Sequence, residues 1–189
     1  NWNDSSDNNG SGLAHYELDS GSGFPDVGSD LTQTLATLDG IHNFSIRAVD
    51  ALDQASDPVI LSDISVDTGP PDVVANFSST SHTSGTWSNI DSVDLIWDPS
   101  SDNGGSGLDH YEIDGVPIAG TSHTLTLGEG SHAISIVAVD NLDQASNPVS
   151  LDILIDIIPP SGVDDFETSS HVSGSWVGDS DVALSWSAS

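Results

Sequence analysis

Residues 2–13 (WNDSSDNNGSGL) return ninety-five positions later as residues 97–108 (WDPSSDNGGSGL), with nine of the twelve identical. Self-similarity at a fixed period constrains a fold more than any local pattern, because each copy must form one unit that sits beside the next. The period continues along the chain. Residues 48–59 (AVDALDQASDPV) match residues 138–149 (AVDNLDQASNPV) at an offset of ninety. Gly69-Pro70-Pro71 matches Ile158-Pro159-Pro160, His82 and Trp87 match His171 and Trp176, and Trp97 matches Trp186, all at eighty-nine. The unit is therefore about ninety residues, and the first copy carries five extra residues somewhere between positions 19 and 35.

The repeat divides the chain into three parts. Residues 68–158 make a whole unit. Residues 1–67 make an incomplete one lacking its first two strands, and residues 159–189 supply only the first two strands of a third. A unit of this size suits a small β-sandwich with a modest core. The chain has no cysteine, so no disulfide supports it. No apolar run approaches the length of a membrane span, and no signal peptide is seen, so membrane insertion is not expected.

Period-two alternation predicts strands throughout. Val93, Leu95 and Trp97 alternate with Ser92, Asp94 and Ile96, and Val182, Leu184 and Trp186 repeat the pattern. Phe44, Ile46 and Ala48 correspond to Ile134, Ile136 and Ala138. Tyr111 and Ile113 correspond to Tyr16 and Leu18. Clusters of Gly, Ser, Asp, Asn and Pro separate these runs, and no long stretch shows helical periodicity, so the expected class is all-β.

The order of features resembles a bacterial fibronectin type III-like domain of the immunoglobulin-like class. It runs from Pro-Pro through a strand ending in Trp97 and a Ser-Asp-Asn-rich loop. The Tyr111 strand and a strand ending in Val137-Ala138-Val139-Asp140 follow. The chain departs from that pattern after Asp140, where Asn141-Leu142-Asp143-Gln144 adds a carboxylate. The resemblance implies tandem sandwiches in which strand A lies near residues 74–81, B at 92–97, C at 109–114, F at 131–140 and G at 149–155. It leaves Trp87 between A and B, as a cap on the core or partly exposed.

Charge narrows the function. Thirty acidic residues face one basic residue, Arg47, for a formal net charge of −29. Such a surface repels nucleic acid and anionic membranes. The absence of lysine removes isopeptide cross-links and lysine chemistry. Twenty-six of the acids are aspartate, a turn former and a calcium ligand, and only four are glutamate. In the resembling sandwiches the B–C loop, the F–G loop and the incoming linker share one end. Here all three carry hard oxygen donors. Asp98, Asp102 and Asn103 lie in the B–C loop, Asp140 and Asp143 in the F–G loop, and Asp67 in the linker. The first copy offers Asp4, Asp7, Asn8, Asp50 and Asp53, and the last linker offers Asp156. Two readings are open: a calcium site using several of these oxygens, or aspartates that only cap their own turns.

The histidines recur with the period (His15 with His110, His42 with His132, His82 with His171), which points to a bond to a neighbouring loop in each unit. No ligand spacing suits zinc, and no serine lies in a nucleophile elbow. The expected function is a non-catalytic structural repeat of an extracellular filament, stalk or surface adhesin. Its partners would be copies of itself, head to tail, with a cell-surface or carbohydrate ligand as a further possibility. Asn-X-Ser sequons at Asn3, Asn9, Asn43 and Asn76 accord with an extracellular location. The competing reading is an accessory module of a large secreted enzyme that holds carbohydrate on Trp87 or Trp176.

Overall fold

Short alternating runs punctuated by Gly, Asp and Pro leave this chain only strands to form, and among the described residues the computed structural model contains no helix. The structure describes residues 2–7 and 10–187. The first unit holds β1 (Leu13–Asp19), β2 (Asp26–Gly28), β3 (Gly40–Asp50) and β4 (Val59–Val66), which form one sheet in the order β2-β1-β3-β4. The middle unit begins with β5 (Ser78–Ser79), β6 (Trp87–Ser88) and β7 (Ser92–Ile96). It continues with β8 (Leu108–Ile113), β9 (Val116–Ile118), β10 (Ser122–Thr126), β11 (Gly130–Asp140) and β12 (Val149–Ile155). A hairpin of β13 (Asp164–Thr168) and β14 (Leu184–Ser187) follows.

The middle unit is a sandwich. A three-stranded sheet, β10-β7-β5, faces a five-stranded sheet, β6-β12-β11-β8-β9. In sandwich lettering this is E-B-A against A′-G-F-C-C′, the fibronectin type III-like arrangement expected from the sequence. Val93 and Leu95 on β7 are fully buried while Ser92, Asp94 and Ile96 are exposed. They meet Tyr111 and Ile113 of β8, Ile134, Ile136 and Ala138 of β11, and Ile153 and Ile155 of β12. Each such aliphatic side chain contributes about 1.5–3 kcal/mol by leaving water. Trp97 closes one end of this core, edge-on to Tyr111 at 5.4 Å and to Phe77 at 6.2 Å between ring centroids.

Two elements differ from the sequence expectation. Of the segment expected to be strand A, only Ser78 and Ser79 pair with β7. The chain then crosses to the other sheet, where β6 runs parallel to β12 and pairs Trp87 with Leu154. His82 secures this crossing: its Nε2–H donates to the Ile90 carbonyl at 2.9 Å. Trp87 is held by its backbone and its side chain stays exposed. The second difference is β9, joined to β8 by Asp114-Gly115, both at positive φ (49° and 77°). That is the two-residue turn whose twist matches a hairpin.

The same hairpin locates the five extra residues of the first copy. Tyr111 pairs with Ile118, and its counterpart Tyr16 pairs with Gly28. The insertion therefore lies in the β1–β2 connection, where residues 19–25 replace the tight turn. Asp19 Oδ1 accepts the amides of Gly21, Ser22 and Gly23 there. These bonds, the Gly21 amide foremost, hold the Asp19 carboxyl below its usual pKa.

The first unit and the last hairpin leave apolar faces bare. Phe44, Ile46, Leu61 and Ile64 line an open cleft with Trp2 and Leu35 on the first sheet. They are the counterparts of core residues in the middle unit. Val182, Leu184 and Trp186 are exposed on the hairpin, where the middle unit buries Val93, Leu95 and Trp97.

Removing core volume should be costly and removing edge volume should not. Ile136→Ala is expected to lower unfolding free energy by about 2–5 kcal/mol in urea denaturation. Val116→Ala, on the exposed β9 edge, is expected to change it by less than about 0.5 kcal/mol.

Candidate metal centre

The described residues of the repeated motif share a set of contacts in both copies. In the middle unit Trp97 packs on Tyr111, and the Tyr111 hydroxyl accepts the Ser100 amide at 2.7 Å. In the first unit Trp2 packs edge-on to Tyr16, whose hydroxyl accepts the Ser5 amide at 2.8 Å. Asp102 Oδ2 accepts the Gly107 amide at 2.7 Å, as Asp7 Oδ2 accepts that of Gly12 at 2.9 Å. The loop curls so tightly around these carboxylates that a Cβ on Gly105 or Gly10 would collide with them. Gly107 and Gly12 also need the left-handed backbone, at φ +93° and +92°.

The loop after β11 is equally regular. Asp140 Oδ1 accepts the amides of Leu142 and Gln144, both at 2.8 Å. Asp50 Oδ1 accepts those of Leu52 and Gln54 at the same distance. These bonds, led by the Gln54 amide, lower the Asp50 pKa. The Asn141 amide then donates to the Gly107 carbonyl at 3.0 Å, and that of Ala51 to Gly12 at 3.0 Å, so each unit ties its two loops together.

The linker completes the arrangement. Asp67, one residue past β4, accepts the Ser106 amide on Oδ2 at 2.7 Å. Hydrogen bonding from Ser106, then from Gly69 and Gln144, holds its carboxyl below the ordinary value against the opposing effect of burial. Asp72 Oδ2 accepts from Ser101 Oγ and Asn103 Nδ2, both at 2.8 Å. Gly104 lies so near the Asp39 carbonyl of the first unit that a Cβ there would meet it at 3.4 Å. The same Asp39 accepts the Thr68 amide and hydroxyl. The linker is thus tied to the β7–β8 loop at Asp67 and at Asp72.

This folding brings Asp67, Asp102 and Asp140 together, each offering one carboxylate oxygen within 4.8 Å of the others. Asp140 is 1% exposed and Asp67 and Asp102 are partly buried. Arg47, the single basic residue, is engaged by Glu17 on the first sheet. An all-carboxylate set of this kind suits a hard cation such as calcium and offers zinc none of its usual nitrogen or sulfur ligands.

The other candidate residues serve elsewhere. Asp4 Oδ1 accepts the Tyr16 hydroxyl, and Asp98 Oδ2 accepts from Asn76 Nδ2 at 2.7 Å. Asn103 bonds Asp72. Asp53 and Asp143 occupy left-handed turn positions at φ 60° and 62°. Asp7 and Asp50 hold the first-unit places that Asp102 and Asp140 hold in the middle one. Asp156 stands one residue past β12 as Asp67 stands past β4, and its amide donates to Ser88. Asn8 lies outside the described residues. Sequence reasoning passed over Ser106 and Gln144, which fix Asp67 and Asp140. Their only signal was recurrence, as Ser11 and Gln54.

The histidines bond neighbouring loops in pairs. His132 and His42 each donate Nε2–H to a carbonyl four residues back, Gly128 and Leu38. His82 and His171 each reach a carbonyl eight residues on. His110 differs from these by its acidic setting: the Asp109 carboxylate at 2.8 Å, then Glu112, raise its pKa above the ordinary 6.5, with burial opposing.

No protein-family model matches the sequence, and no curated protein does. Among solved structures the chain is similar to the fibronectin(III)-like modules of Clostridium thermocellum CbhA, at 22% identity and a TM-score of 0.33 over 76% of this chain and 78% of that one. It is also similar to the central fibronectin-III array of RIM-binding protein, at 13% identity and a TM-score of 0.26 over 92% and 67%. The fold assignment stands on the strand order of the middle unit.

A raised histidine pKa stabilises the folded state most below the unfolded value, and that gain is lost as pH rises through the folded one. The His110 imidazole should therefore titrate above about 6.5 by NMR. Asp109→Asn should lower its midpoint, and should reduce thermal stability more at pH about 5 than at about 8.

Proposed function

We propose that the chain is a non-catalytic structural repeat of an extracellular filament, stalk or surface adhesin, its units following head to tail with calcium-stiffened junctions. The observation that carries this reading is the junction between the first and middle units. Asp39, Asp67, Thr68 and Asp72 form a continuous run of hydrogen bonds from one unit to the next unit's loop. Flexibly strung domains need no such lacing, and a spacer that must hold its direction does. The recurrence of the same loop at Trp2 and Trp97 makes the junction a device built once per unit.

Head-to-tail contact between such units is heterologous and does not close, so it extends an array. The large negative charge keeps neighbouring arrays apart.

Negative-stain images of the native material are expected to show fibres or stalks with an axial repeat of one or two units. Dispersed particles without an axial repeat would overturn the proposal.

A further inference from the structure

Asp140 is 1% exposed, yet its carboxylate is only half satisfied. Oδ1 is taken by two backbone amides, while Oδ2 is fully buried and has no hydrogen-bond partner among the described residues. An ionised oxygen withdrawn from water without a donor costs far more than an exposed one, so native structures rarely leave it so. Two further acids lie close by, since Asp67 and Asp102 each bring a carboxylate oxygen within 4.8 Å of one of Asp140's. Both neighbours have one oxygen fixed by an amide, Ser106 for Asp67 and Gly107 for Asp102. Three acids are thus oriented by the backbone, each with one carboxylate oxygen within 4.8 Å of the others.

We infer that Asp67, Asp102 and Asp140 bind one calcium ion at the junction, with Asp140 Oδ2 as its buried anchor. Oxygens bound to one calcium ion at the usual 2.3–2.6 Å stand no more than about 5.2 Å apart, a limit this cluster satisfies. The remaining ligands are water or carbonyl oxygens, as calcium commonly takes 6–8 in all. Asp102 and Asp140 belong to the middle unit and Asp67 leaves the first, so the ion pins one unit to the next. The inference deepens the reading of the chain as a stiff tandem spacer and rests on it for its mechanical purpose alone. The alternative is a junction held by its backbone hydrogen bonds with no cation bound.

Isothermal titration of the whole chain with calcium chloride at neutral pH separates these. Saturable binding is expected, weakened at least about tenfold in Asp140→Asn and in Asp67→Asn. Asp98→Asn, whose carboxylate lies outside the cluster on Asn76, should bind as the parent does. Calcium should raise the melting temperature of the parent and of Asp98→Asn but not of the other two. Asp67→Asn keeps the test decisive if Asp140→Asn does not fold. No saturable binding, or equal loss in all three variants, would overturn the site. If calcium fails to bind while native fibres show the axial repeat, the site falls and the spacer reading stands. If calcium binds as expected and no fibre is found, the site stands and the spacer reading falls.

Discussion

Three carboxylates, from Asp67, Asp102 and Asp140, converge where one unit meets the next, in a chain with a single basic residue. The rest of the junction is arranged around that convergence. Like charges held this close repel, and neighbouring side chains supply no cation to offset them. What holds them is the backbone: amides of Ser106, Gly107, Leu142 and Gln144 each fix one oxygen. The loop that carries Ser106 and Gly107 is in turn anchored by Trp97 and Tyr111, which cap the sandwich core and hold it at Ser100. The core thus positions the loop, the loop positions the acids, and the acids define the junction.

The duplicated twelve-residue motif gains a physical meaning from this. Its invariant residues are the ones the loop needs. Trp packs edge-on to Tyr, Asp accepts the amide of a glycine five residues on, and the last glycine adopts the left-handed backbone. Where the copies diverge, Asp98 bonds Asn76 and Asp4 bonds the Tyr16 hydroxyl, contacts the two copies do not share. A sequence can drift at such positions without changing the loop.

The fold was largely legible from sequence because its core strands alternate strictly. Val93, Leu95 and Trp97, and Ile134, Ile136 and Ala138, were readable as inward faces, and the structure buries them. What escaped were β6 and β9, elements of two and three residues that are too short to carry a period. The sheet switch at Trp87 depends on the long-range pairing with Leu154, which no local pattern encodes. The site was legible as a region but not as a set. Aspartate looks the same in a cluster and in a turn. Asp143 lies three residues from Asp140 yet serves a left-handed turn, and Asp98 lies four from Asp102 yet bonds Asn76. Only the folding of the linker onto Ser106 selects the three acids that meet.

On the proposed reading a cation at this junction fixes one unit against the next. Residual dipolar couplings of backbone amides in the first and middle units test it most directly. With calcium present, couplings from both units should fit a single alignment tensor. With the calcium chelated by EGTA, they should require two. Couplings that fit the same tensors with and without calcium would contradict the account.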